Sequence, residues 1–276
     1  MNKPQVWIIT GSSRGLGHAL ADAVLAAGHQ LVATARDKGA LAGLVGKYGE
    51  QVRAVALDVT DEAAANAAIE TAINTFGRID VLVNNAGYGN VSPIEDTTLA
   101  EFRAQIETNL FGTIIMTKAA IPHMRRQASG HILQFSSVGG RIGSVGRAPY
   151  SAAKWAVEGF SEVLAKEVAP FGVKVTIVEP GGFRTDFAGA STSIRAGRPE
   201  YDATVGAVAR FQQAYNGVQP GNPAKAAVAL LEITRVADPP LRLLLGSDAV
   251  AAVEKADLAR MESDRKWRHV SVSTDY

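Results

Sequence analysis

From the amino terminus onward, short apolar, β-branched runs alternate with longer helical patterns, and this alternation constrains the chain more than any other feature. The runs Val6 to Thr10, Leu31 to Ala35, Val52 to Leu57, Val81 to Asn84, Ile132 to Ser136 and Val173 to Glu179 each read as a buried strand. Helices are expected between them at Leu16 to Ala27, Asp61 to Phe76, Leu99 to Arg126 and Ser151 to Phe171, with Gly28, Gly77 and Gly172 as stop signals after three of the four. One economical packing buries such strands on both faces: a parallel sheet covered on either side by right-handed crossover helices. The predicted fold class is therefore α/β, a doubly wound parallel sheet.

After Pro180 the rhythm breaks. A Gly-, Ser- and Arg-containing stretch runs from Gly181 to Gly221, then a helix is expected near Pro223 to Val236 and a strand at Leu241 to Leu245. An insertion of that length predicts a lid, at about 186–221. The extension at about 247–276 begins helix-like but ends "ESDRKWRHVSVSTDY", which has no apolar period, and is expected to be peripheral. No repeat or linker interrupts the chain, so residues 1–276 form one domain in this reading.

Composition narrows the function. Lys and Arg number 28 against 27 Asp and Glu, a net charge of +1, and no basic run carries interleaved aromatics, so nucleic acid is not an expected partner. Without cysteine there is no disulfide, no thiolate nucleophile and no sulfur-ligated zinc, which fits a reducing compartment; a cytoplasmic location is expected. The amino-terminal apolar run is too short for a signal peptide, and no segment approaches the ~20 apolar residues of a membrane span, so no membrane partner is expected. The histidines His18, His29, His123, His131 and His269 lack paired metal spacing, and no G-x-S-x-G elbow supports a hydrolase; no metal is predicted.

The first strand runs directly into "TGSSRGLG", Thr10 to Gly17, with a helix after it. At the carboxyl edge of a doubly wound sheet, such a turn offers helix-terminal N–H groups and a favourable dipole to a pyrophosphate, and Gly11, Gly15 and Gly17 let the backbone come close. Farther along, "APYSAAKWAVEGF" sets Tyr150 and Lys154 four residues apart, on one helical face. A phenol of pKa ~10 is a poor acid-base group at neutral pH, and a cation within ~4–6 Å is expected to lower it. The fifth strand ends in Ser136 and Ser137, on the same edge as the glycine turn.

The spacing G-x-x-x-G-x-G, "LDVT" at Leu57 to Thr60, "NNAG" at Asn84 to Gly87, Asn109 in "ETNLFG", Ser137 thirteen residues before Tyr150, and "PGGFRTDF" together resemble the short-chain dehydrogenase/reductase family. The resemblance runs over roughly Lys3 to Leu245. It implies a Rossmann-like fold and a nicotinamide dinucleotide held by Gly11, Ser13, Arg14, Gly15 and Leu16, by Arg36, by Asp58 and Val59, and by Asn85, Ala86 and Gly87. It adds Pro180, Gly181, Phe183 and Thr185 after the sixth strand, along with Tyr150 and Lys154. The implied catalytic set is Asn109, Ser137, Tyr150 and Lys154: Tyr150 as general acid/base, Ser137 donating to the substrate oxygen, Lys154 binding the nicotinamide ribose, and Asn109 holding a relay water. The expected substrate is a small carbonyl compound or alcohol. Tyr88, Phe187, Tyr201, Phe211 and Tyr215 are candidates for the pocket wall. Homo-oligomers, dimers or tetramers, are implied through the long helices after strands four and five.

The end of the second strand, "VATARD", bears on the nucleotide. With Ala35 in the position of a ribose-binding acid, Arg36 and Arg14 are placed to clasp a 2′-phosphate, which favours NADP(H). A shift in the end of the strand would instead make Asp37, twenty residues beyond Gly17, the ribose ligand of an NAD(H) enzyme. Asp37 also fits a helix cap. An NAD-linked secondary alcohol dehydrogenase and a non-catalytic nucleotide sensor on the same fold stay open as alternatives.

Overall fold

All seven predicted runs become strands of a single parallel sheet in the computed structural model, which describes residues 3–189 and 191–276. They are β1 (Val6–Ile9), β2 (Gln30–Ala35), β3 (Val52–Ala56), β4 (Val81–Asn84), β6 (Gly130–Phe135), β7 (Val173–Pro180) and β9 (Arg242–Leu245). Two strands too short for periodicity to reveal, β5 (Gly89–Val91) and β8 (Thr192–Ile194), pair with each other in a separate parallel ribbon. The main sheet has the order β3-β2-β1-β4-β6-β7-β9. Its direction of growth reverses between β1 and β4, so the loops that leave these two neighbours part company and open a crevice at the carboxyl edge.

Alternate residues of each strand feed two cores. Trp7, Ile9, Val81, Val83 and Leu133 pack with α1 (Gly15–Ala26) and α8 (Pro223–Ile233) on one face. Val6, Ile8, Leu82 and Ile132 pack with α3 (Glu62–Phe76) and α5 (Gly112–Gln127) on the other. Burial of each large aliphatic side chain contributes roughly 1.5–3 kcal/mol, which is why runs apolar at every position form the strands. Local signals set the helix ends. Asp61 accepts from the amides of Ala63 and Ala64 to start α3, and Thr98 with Glu101 forms a capping box at α4 (Leu99–Ile106).

Three elements depart from the sequence reading. The expected helix Leu99 to Arg126 is interrupted by a π turn, Glu107–Phe111, between α4 and α5. Immediately after it Gly112 lies against Val59, with no room for a β-carbon. A further helix, α2 (Ala42–Tyr48), follows β2. The terminal extension is one helix, α9 (Ser247–Val272), that continues through the polar stretch. Ala249 and Val253 are its buried residues; beyond Ala256 and Asp257 the helix is open to solvent, so no apolar stripe was there to be read. The helix α6 (Ala148–Val168) opens on Pro149, a residue suited to a first turn, and carries Tyr150 and Lys154 under the carboxyl end of β6. Within the stretch 186–221, α7 (Ala207–Tyr215) is the longest regular element.

Candidate active site

Backbone stitching between the loops after β1 and β4 builds the floor of the crevice. The Thr10 hydroxyl accepts from the amides of Asn85 and Ala86 at 2.9 and 3.0 Å, and Asn85 Nδ2 donates to the carbonyls of Thr10 and Gly11. Gly11 holds φ of 70°, a conformation that side chains disfavour, and Gly17 packs so tightly on Asn85 and the Gly11 carbonyl that a β-carbon would collide. Helix α1 begins after Arg14 with no side-chain cap and no acid in its first turn. Its leading N–H groups thus keep their capacity for an anion, and the local field favours one.

From this turn a cavity of about 1000 Å³ extends along the sheet edge to Tyr150. Its wall includes every sequence-predicted cofactor residue: Gly11, Ser13, Arg14, Gly15 and Leu16; Arg36, Asp58 and Val59; Asn85, Ala86 and Gly87; and Pro180, Gly181, Phe183 and Thr185. Arg36 directly follows the last residue of β2, Ala35, which pairs with Ala56. Asp37 spends its carboxylate as a cap, accepting from the Gly39 amide at 2.8 Å. Asp58 accepts from the Thr60 amide and hydroxyl; these bonds, with the nearby Arg36 charge, hold its carboxyl below the usual range. The cap of α3 is Asp61 and not Asp58.

Three of the four predicted catalytic residues, Ser137, Tyr150 and Lys154, meet at the far end of the same cavity. Ser137 begins a short turn, its Oγ accepting from the Gly139 amide at 3.0 Å. Lys154 Nζ lies 5.9 Å from the Tyr150 ring centre and donates to the Phe135 carbonyl at 2.6 Å. Burial pulls the Lys154 pKa down to about 8, against the opposing charge of Glu158. The expected lowering of the phenol meets an opposing cause, the burial of Tyr150. Burial raises the Tyr150 pKa, while the Ser137 hydrogen bond and the Arg147 charge draw it back.

Asn109 stands one layer behind the wall, on the π turn, and is buried. Its Oδ1 accepts from the Tyr88 amide at 3.1 Å and its Nδ2 donates to the Tyr88 carbonyl at 2.9 Å, so its side chain clamps the loop that follows "NNAG". A widened turn of this kind re-aims one side chain out of helical register.

The loop after β7 closes the cavity. A β-carbon on Gly15 would lie 3.5 Å from Thr185 Cβ, which sets this loop against the first glycine turn. The Gly182 amide donates to Asp248 on α9 at 2.7 Å, so the terminal helix holds the loop and is not merely peripheral. Phe187 packs on Tyr150 with ring centres 5.7 Å apart. Tyr88, Phe187 and Tyr215 line the wall; Tyr201 and Phe211 do not, the former bonding Glu95 and the latter stacking outward on Tyr215. Beneath the loop, Glu179, one residue before the end of β7, lies among Glu158, Arg141 and Arg242; burial and the Glu158 charge push its pKa up to about 7.

Sequence reasoning missed Arg147, Gln212, Asp248 and Glu179. Only Arg147 carried a signal, its place three residues before Tyr150. The others come from distant parts of the chain.

A glycine turn under one sheet edge, an uncapped helix, and a tyrosine, serine and lysine at the far end of one crevice define an α/β protein of the dinucleotide-dependent oxidoreductase class. The sequence matches the family described as short chain dehydrogenase over residues 5–196, and the chain belongs to that family. It is 49% identical over 271 residues to "Oxidoreductase BOA17" of Botryotinia fuckeliana, covering 98% of this chain and 99% of that protein. A crystal structure of a short-chain dehydrogenase from Streptomyces avermitilis superposes with a TM-score of 0.93 at 41% identity, over 99% of each chain. A Burkholderia phymatum family member in complex with NAD has a TM-score of 0.80 at 25% identity, over 91% of this chain and 92% of that one. An alcohol dehydrogenase from Thermococcus sibiricus complexed with 5-hydroxy-NADP has a TM-score of 0.73 at 26% identity, over 88% and 96%. Among the described residues no helix is long and apolar enough to cross a membrane.

Proposed function

We propose that the protein is an NADP(H)-dependent reductase of ketones or aldehydes, working reversibly on the corresponding alcohols. The observation that carries this reading is the single cavity that joins the glycine turn and Arg36 at one end to Ser137, Tyr150 and Lys154 at the other. The uncapped start of α1 suits the pyrophosphate of a nicotinamide dinucleotide. Arg14 and Arg36, which have no carboxylate partner among the described residues, suit a 2′-phosphate, whereas Asp37 is engaged in its cap. When bound, the nicotinamide supplies the hydride in reduction and accepts it in oxidation.

The side chains divide the remaining work. Tyr150 gives its proton to the carbonyl oxygen in reduction and takes it back in oxidation, and its raised pKa keeps the phenol protonated near neutral pH. Ser137 donates to the same oxygen, stabilising the negative charge that develops there. Lys154 fixes the end of β6 and presents a charged donor to the cofactor's ribose. Asn109 keeps Tyr88 in place and the π turn under the relay position; residues 186–221 cover the substrate end, with Phe187 and Tyr215 as wall. The π turn between α4 and α5 exposes Phe111 and α6 exposes Trp155 and Val163, which supports the use of this face in a homo-oligomer.

The test is turnover of a panel of ketones and aldehydes with NADPH and with NADH, on the wild type and on Tyr150→Phe. Carbonyl-dependent oxidation of NADPH that disappears in the variant supports the reading. Binding of NADPH without turnover of any carbonyl would make the protein a nucleotide sensor instead.

A further inference from the structure

Three residues before Tyr150, Arg147 presents the strongest donor group in the substrate half of the cavity and has no carboxylate partner among the described residues. It lines the cavity, and its guanidinium carbon lies 5.9 Å from the centre of the Tyr150 ring. Its side-chain partner among the described residues is neutral, the Gln212 carbonyl oxygen at 2.8 Å. Three other arginines behave otherwise: Arg141, Arg198 and Arg242 each engage two or more carboxylates. The contrast is chemical. Burial costs the Arg147 cation solvation and pulls its pKa down, yet a guanidinium stays charged at any ordinary pH. A half-buried guanidinium with five donors and one neutral side-chain acceptor keeps donors free for an anion, which would offset the solvation it has lost.

The surroundings say where that anion comes from. The pyrophosphate end of the cavity is served by the α1 terminus, Arg14 and Arg36; Arg147 belongs to the end that holds Tyr150, Ser137 and Phe187. Gln212 sits on α7, within the segment 186–221 that covers this end, so the arginine is held between the body and the covering segment. Nη1 lies against Gly89, the β5 side of the same space, where a β-carbon would come within 3.4 Å of it. A planar fork so placed matches a carboxylate in two-point contact.

We infer that the substrate is an oxo acid: Arg147 binds its carboxylate while its carbonyl, a few bonds away, reaches Tyr150 and Ser137. The inference rests on the reading of the site as a carbonyl reductase and adds the substrate's charge. The reaction balance is unchanged. The carbonyl carbon gains hydride and its oxygen gains the Tyr150 proton, giving a hydroxy acid, and the carboxylate takes no part in bond making.

The experiment compares a series of short oxo acids with their methyl esters, measuring kcat/KM with NADPH for wild type, Arg147→Gln and Arg147→Lys. Wild type is expected to favour acid over ester at least about tenfold, and Arg147→Gln to reduce the acid-to-ester ratio by roughly 10–100-fold, the scale of a charge-assisted hydrogen-bond pair. Arg147→Lys, which keeps the charge and loses the fork, should fall between them. NADPH binding followed by fluorescence verifies that each variant is folded. If acid and ester lose rate by the same factor in Arg147→Gln, or wild type prefers the ester, the inference is overturned and Arg147 acts only on the Tyr150 phenol. Turnover of neutral ketones and aldehydes, lost in Tyr150→Phe, reports separately on the parent reading. Should esters and neutral carbonyls turn over while oxo acids do not, the oxo-acid assignment alone fails; should no carbonyl turn over, both fail.

Discussion

The Lys154 ammonium donates to the carbonyl of Phe135, the last residue of β6, at 2.6 Å, and so ties the helix that carries Tyr150 to the strand that leads into Ser137. One charged hydrogen bond thereby helps to set the separation of the two groups proposed to reach the same substrate oxygen.

Removing the phenol hydroxyl removes the proposed proton donor while leaving the ring against Phe187. Tyr150→Phe is expected to lower kcat for carbonyl reduction by roughly two or more orders of magnitude, the range of a lost general acid, with NADPH affinity little changed. Stopped-flow oxidation of NADPH with separate binding titrations checks both parts.

Lys154 titrates in an accessible range. Its pKa lies at about 8, so the ammonium is present at pH 7 and is lost as pH rises through 8. The profile of kcat/KM for reduction should therefore fall on the alkaline side with a limb near 8, and Lys154→Arg, slower but permanently charged, should lack that limb. A wild-type profile flat from pH 6.5 to about 9.5 would remove the ammonium from the mechanism.

Arg36 tests the nucleotide. Arg36→Ala should raise the Kd for NADPH about 10–100-fold and leave NADH nearly unaffected, because only the 2′-phosphate loses a charge-assisted bond. Equal losses for both nucleotides would mean that the arginine serves the adenine or the wall and that the protein is not an NADP(H) enzyme on this account.

Asn109→Leu should act through position rather than chemistry. The variant orphans the Tyr88 amide and weakens the hold on its carbonyl, which Gln105 also bonds at 2.7 Å. A destabilisation of about 1–3 kcal/mol and a Tm lower by roughly 5 °C are expected, with KM for NADPH rising as the Asn85 to Tyr88 loop loosens. Calorimetry and titration separate the two effects.

Glu179 gives a stability signature with a definite sign. Its folded pKa, about 7, lies above the unfolded value of 4.5, so between those two values the native state holds the extra proton. Stability from this group is full below pH 4.5 and declines as pH rises toward 7. His131 works oppositely: burial lowers it from 6.5 to about 4, and stability is lost as pH falls through that interval. Glu179→Gln keeps the neutral shape, so its Tm should exceed that of wild type more at pH 8 than at pH 5. A difference constant with pH would show that Glu179 is ionised throughout.

The strand and helix order was legible from the sequence because it rests on local causes: apolar runs at every position, glycines after helices and a turn rich in glycine. The end of β2 at Ala35 followed from the same runs, and with it the positions of Arg36 and Asp37. The strands β5 and β8 were not legible, since three residues carry no period; nor was the end of α9, whose exposed half has no partner to leave an apolar stripe. The π turn under Asn109 left no mark in a helical pattern.

By itself, the sequence determined which residues would lie on the carboxyl edge of a parallel sheet, because strand ends and helix starts follow from neighbours within a turn or two. Only the tertiary structure decided what those residues experience there. Arg147 meets Gln212, Gly182 meets Asp248 and Glu179 meets Arg242 across separations of more than sixty residues. The loss of water that lifts the Tyr150 phenol and lowers the Lys154 ammonium is a property of the packed crevice, which exists only once the distant segments have closed around it.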